Sequence, residues 1–115
     1  KLLESFQRVN ESYFGGIMEQ TNLELGAESF SLLGRYSYGT DTITISKALE
    51  QHQELMDFVI YHEMLHKKHK YTQKNGKSFH HSKAFKADEQ KFEHYAELEK
   101  KLARLPRKRL FSSFF

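Results

Sequence analysis

The chain has 115 residues and a formal net charge of +3, which suits one compact domain with a useful core and is too little for two. It contains no cysteine, so a disulfide framework and a thiolate metal site are both excluded, and a transition metal would have to be held by imidazoles and carboxylates. No apolar run approaches the roughly 20 residues that cross a bilayer and none reads as a signal peptide; the expectation is a cytoplasmic protein with no membrane partner.

Leu2, Leu3, Phe6, Val9, Tyr13 and Phe14 recur at spacings of three and four, which predicts an amphipathic helix over residues 2–14, ended by Gly15-Gly16. From Asn22 to Ser46 the period becomes two. Leu23 and Leu25, then Leu33 to Tyr38, then Thr42 to Ser46 predict three strands, with Gly39-Thr40-Asp41 as a hairpin turn. Ser46 is a candidate cap for a helix that continues to Lys70. Its stretch Leu55 to His66 is apolar nearly all round, the pattern of a helix buried on most sides. Tyr71 to Phe79 reads as a loop, and a further helix is expected over residues 82–104, stopped by Pro106. The fold class is therefore α+β: an N-terminal helix, a small, mainly antiparallel sheet, a buried helix, and a C-terminal helix. Residues 1–106 form the single domain and residues 107–115 a basic and aromatic tail.

The buried helix carries His62-Glu63-Met64-Leu65-His66. Residues four apart share a helix face, so His62 and His66 present two imidazoles to one point. Glu63 sits one step round, where its carboxylate reaches a water without ligating the metal. This is the H-E-x-x-H arrangement of zinc peptidases, in which the metal acidifies water and the carboxylate takes its proton. A buried helix rarely holds two histidines and a glutamate without something to compensate them. One Zn2+ per chain is the expected cofactor, Glu63 the expected general base, and a protein or peptide the expected substrate.

Catalytic zinc normally takes three protein ligands. His69, His80, His81, Glu89, Glu93 and His94 are the candidates for the third. His69 is a turn too far along to converge easily, whereas His80 and His81 follow a loop long enough to reverse the chain. Asp88 is a candidate hydrogen-bond partner for a liganding histidine.

The pair of elements His62-Glu63-Met64-Leu65-His66 and His81-Ser82-Lys83-Ala84-Phe85 resembles the small zincins of the SprT-like and YgjP-like families. Tyr13-Phe14-Gly15-Gly16, Gly34-Arg35-Tyr36, Ile43-Thr44-Ile45-Ser46 and Asp57-Phe58-Val59-Ile60 are similar to the same families' upstream pattern. The resemblance implies a minimal zincin-type fold, His81 as third ligand and Phe85 as a packing residue beneath it. The chain also resembles the minigluzincins, zymogens of about this length whose C-terminal segment blocks the cleft. That likeness implies a glutamate ligand instead, Glu89 or Glu93. His81 is the favoured reading, because its whole H-S-x-x-F setting matches.

Other features carry weaker expectations. The edge of Thr42 to Ser46 could receive an extended peptide by strand addition. Tyr36, Tyr38, Tyr61 and Tyr71 are phenols able to reach an oxyanion, although packing is the commoner use of such residues. The tail Leu110-Phe111-Ser112-Ser113-Phe114-Phe115 is aromatic and uncharged, which points to docking in the groove of its own or a neighbouring molecule. The basic run from Lys100 to Arg109 suits nucleic acid, and SprT-like proteins degrade proteins associated with DNA. A metal-dependent nuclease with H-x-x-x-H on a helix is the alternative enzyme, and Glu63 argues against it. A non-catalytic zinc domain that binds nucleic acid or protein is the other alternative.

Overall fold

The structure is a computed structural model that describes residues 1–69, 73, 74, 77, 78 and 81–105. His80, Tyr71 and the tail therefore lie outside the described residues. Helix α1 spans Leu2–Tyr13 and buries Phe6 and Val9. Gly15 and Gly16 follow at φ +64 and +74, a left-handed conformation that glycine adopts without strain. Asn10 fastens the turn, its side chain bonding the Met18 carbonyl and amide at 3.0 and 3.1 Å.

Strands β1 (Asn22–Gly26), β2 (Gly34–Ser37) and β3 (Thr42–Ser46) form one sheet in the order β1-β3-β2. Strand β2 pairs antiparallel with β3, as the hairpin turn predicts, but β1 pairs parallel with it. The sheet is therefore mixed, and β3 lies at its centre. This overturns the expectation of a free edge on Thr42 to Ser46: β1 covers one side and β2 the other. Alternation holds along β3 from Thr42 to Ile45, with Ile43 and Ile45 fully buried and Thr42 and Thr44 only half-buried.

Ser46 caps as expected, its Oγ accepting from the Ala48 amide at 3.1 Å, but the element it caps is a short 3-10 turn, Lys47–Leu49. The long helix α2 starts later and runs Gln53–Lys68. From Leu55 to His66 every residue except Asp57 is buried. Asp57 turns to α1, where it accepts from Ser5 and, in bidentate fashion, from Arg8 at 2.8 and 2.9 Å. At the other end Lys67 reaches Asp41 in the β2–β3 turn at 3.0 Å, and Tyr36 donates to the same carboxylate at 2.6 Å. Helix α2 is thus fixed to α1 at its start and to the sheet at its end.

Two short strands, Gln73–Lys74 and Lys77–Ser78, pair antiparallel within the span expected as a loop. The expected helix over 82–104 is two helices, α3 (Lys83–Glu89) and α4 (Tyr95–Ala103). Packing breaks it. Phe92 is buried against Tyr13, Phe58 and Tyr61, with ring centroids at 4.8, 5.3 and 5.1 Å. The Glu93 amide donates to the Tyr13 hydroxyl at 2.9 Å, and His94 takes up φ +63 to let the chain turn. No described helix is long and apolar enough to cross a membrane.

Candidate metal centre

His62 and His66 lie on the face of α2 that meets α3, 3 % and 9 % exposed. His81 arrives from the residue before the cap of α3, where Ser82 Oγ accepts the Phe85 amide at 3.1 Å. The three imidazoles form a near-equilateral triangle, every pair of ring centroids 5.0 Å apart. One nitrogen of each lies within 4.8 Å of the other two. The His66 and His81 Nε2 atoms are 3.3 Å apart. Two nitrogens each about 2.05 Å from a tetrahedral zinc would stand about 3.3 Å from one another, so the His66–His81 pair has the spacing of two ligands of that ion and His62 lies close enough to be the third. Phe85, 1 % exposed, closes the buried side, its ring centroid 5.0, 4.8 and 5.0 Å from those of His62, His66 and His81.

Glu63 is fully buried, and neither of its carboxylate oxygens has a hydrogen-bond partner among the described residues. Burial pushes its carboxyl up to about 7; His62 pulls that value down and Glu89 adds to the rise. The carboxylate fits because residue 34 has no side chain. A Cβ on Gly34 would lie 3.2 Å from Glu63 Oε2 and 2.8 Å from Val59 Cγ1. Edge strand β2 therefore borders Glu63 directly. Just beyond it Tyr38, 42 % exposed, has its phenol raised by desolvation and then by the charge of Glu63.

The other candidates stand elsewhere. His69 Nε2 lies 2.9 Å from Asp88 Oδ2, outside the triangle. Asp88 also binds Lys68 at 2.7 Å and Lys91 at 3.0 Å. Burial opposes its ionisation and is the largest influence, but the hydrogen bonds from Lys68, Lys91 and His69 together hold its carboxyl well below the usual range. Asp88 is thus a cation-bound anchor, its side chain bonded to Lys68, His69 and Lys91. Glu93 and His94 are exposed on the turn before α4. Tyr61 points away and donates to the Asp88 carbonyl at 2.5 Å. Glu89, weighed as a ligand, instead meets His62 Nδ1 through Oε2 at 2.5 Å. Sequence reasoning missed that contact, although His81, Phe85 and Glu89 are spaced by four and mark one stripe. It also missed Gly34 against Glu63, for which only the lone glycine opening a strand gave a signal.

A helix carrying H-E-x-x-H, backed by a small mixed sheet and facing a histidine just ahead of the following helix, defines a zincin-type α+β domain. The chain belongs to the SprT-like family, whose profile matches residues 2–104. No curated protein sequence gave a significant match. Among solved structures it is similar to the metallopeptidase zymogen abylysin of Pyrococcus abyssi, with a TM-score of 0.69 and 20 % identity over 96 % of this chain and 100 % of that one. It is likewise similar to the metallopeptidase zymogen jannalysin of Methanocaldococcus jannaschii, with a TM-score of 0.64 and 21 % identity over 89 % of this chain and 93 % of that one. At these identities the likeness bears on the fold.

Proposed function

We propose that the chain is a zinc-dependent peptidase in which His62, His66 and His81 hold one Zn2+ and Glu63 is the general base. The observation that carries this reading is the triangle of imidazoles at 5.0 Å with a fully buried carboxylate, Glu63, beside it. When bound, the metal supplies Lewis acidity, polarising the scissile carbonyl and lowering the pKa of water. Glu63 takes a proton from the attacking water as the water oxygen bonds the carbonyl carbon. It then delivers that proton to the departing amide nitrogen as the C–N bond breaks. Its oxygens have no hydrogen bond to surrender among the described residues, so they are ready to accept one from water. The phenol of Tyr38 stays protonated and can donate to substrate.

The substrate is a protein or peptide lying extended along β2, the edge strand whose Gly34 touches Glu63. Residues 107–115 hold the enzyme latent, a reading supported by the aromatic, uncharged end of the sequence and by the zymogen neighbours. Metal content by mass spectrometry on wild type, Glu63→Ala and His81→Ala, with peptidase assays alongside, tests the centre. The expected result is about one zinc per chain, kept without Glu63 but lost without His81, and no activity in either variant. Wild type that takes up no stoichiometric metal after loading would sink the reading. Deletion of residues 107–115 should raise activity, and unchanged activity would remove the latency.

A further inference from the structure

A neutral imidazole has one N–H and one lone pair, and the nitrogen that faces a carboxylate keeps the proton. His62 Nδ1 lies 2.5 Å from Glu89 Oε2, with side chains 3 % and 11 % exposed. We propose that Glu89 is a positioning residue for His62: it fixes the proton on Nδ1, so that the Nε2 lone pair faces His66 and His81. Free histidine favours the opposite tautomer, with the proton on Nε2. Glu89 reverses that preference and stops the ring from turning.

The support behind Glu89 is rigid. Asp88, the residue before it, is tied to the last turn of α2 and the residue beyond it through Lys68 at 2.7 Å and His69 at 2.9 Å. Lys91 holds the other oxygen at 3.0 Å, and Tyr61 from mid-α2 donates to the Asp88 carbonyl at 2.5 Å. The path from His62 to Glu89, through Asp88 and back to α2 is closed. Helix α3 cannot slide along α2 without breaking one of these bonds. The contact turns Oε2 of Glu89 onto Nδ1, while the ligand-type cluster among the described residues is His62, His66 and His81.

The functional meaning of this inference rests on the metal reading above, but the tautomer is readable without metal. The experiment uses long-range 15N–1H spectra of the metal-free protein, at a pH where the imidazole is neutral. Zinc affinity is measured in parallel by chelator competition, on wild type, Glu89→Ala and Glu89→Gln. The expected wild-type signature for His62 is Nδ1–H. Glu89→Ala should shift it to Nε2–H and weaken zinc about 10- to 100-fold, the usual cost of losing such a partner. Glu89→Gln keeps an accepting oxygen, and should retain Nδ1–H and bind zinc within roughly 5-fold of wild type. An alanine variant with the wild-type tautomer and undiminished affinity overturns the proposal. So does total loss of zinc from both variants, the behaviour of a ligand. If the alanine variant does not fold, Glu89→Gln decides alone: Nε2–H with unaltered zinc binding refutes the role. If wild type takes no zinc, the metal reading fails, and the tautomer still reports on Glu89.

Discussion

Glu63→Gln in the metal-free protein isolates the cost of the buried carboxylate. Burial raises the Glu63 carboxyl from 4.5 to about 7. An acid with a raised folded pKa holds its proton more tightly folded than unfolded. It therefore favours the fold below pH 4.5, and that contribution is lost as pH climbs through about 7. Each unit is worth about 1.4 kcal/mol, so the whole loss is on the order of 3 kcal/mol, most of which falls between about pH 5 and about pH 8. Glutamine has no proton to lose. Burying its amide has a cost that moves its stability curve vertically without changing the slope, and other titrating groups are common to both proteins. Urea unfolding of the chelator-stripped pair across that range is the assay. With a slope of about 1.5 kcal/mol per molar urea for a small domain, the gap between the two midpoints should move by roughly 1 to 2 M in favour of glutamine as pH rises. Parallel curves would refute the reasoning, because they would mean that Glu63 ionises as easily in the fold as in water.

Phe85→Ala should cost about 3–5 kcal/mol by opening a cavity beneath the imidazoles, and should weaken zinc binding as well; urea unfolding and chelator competition check the two effects. Gly34→Ala would place a methyl 2.8 Å from Val59 Cγ1 and 3.2 Å from Ile45 Cδ1, an overpacking cost of about 1–3 kcal/mol. Peptide hydrolysis should fall with it, and wild-type stability and activity would show that β2 is not held against Glu63. Asp88 has a depressed pKa, so its contribution is present above its ordinary value of 3.8 and is lost as pH falls through the folded one. Acid unfolding followed by circular dichroism should therefore show a shallower transition for Asp88→Asn than for wild type, and an unchanged transition would contradict the anchor.

Much of the architecture was legible because it depends on local pattern. The spacing of Phe6, Val9 and Tyr13 located α1, and the alternation of Ile43 and Ile45 located β3. That His62 and His66 share one face was legible because four-residue spacing on a helix is a geometric statement, while His81 needed a family resemblance to single it out. The direction of β1 was not legible: a strand's side-chain pattern is the same whether its partner runs parallel or antiparallel. The break between α3 and α4 was hidden for another reason. Nothing from Gln90 to His94 is a glycine or a proline, and the chain leaves the helix because Phe92 finds Tyr13 and Phe58, residues distant in sequence. Tertiary contacts decided both. Glu89 was read as a possible ligand because the minigluzincin likeness implies a glutamate, and a sequence does not show which of the two nitrogens of His62 that carboxylate faces.

The aromatic floor beneath the triangle has a consequence for traffic. Phe85 is 1 % exposed and its ring stands 4.8 to 5.0 Å from all three imidazoles, so on the proposed metal reading an ion or a water molecule would reach them from a side other than this floor. Loading, turnover and metal loss would then share that approach, and an inhibitor seated on it would also shield the ion from chelators.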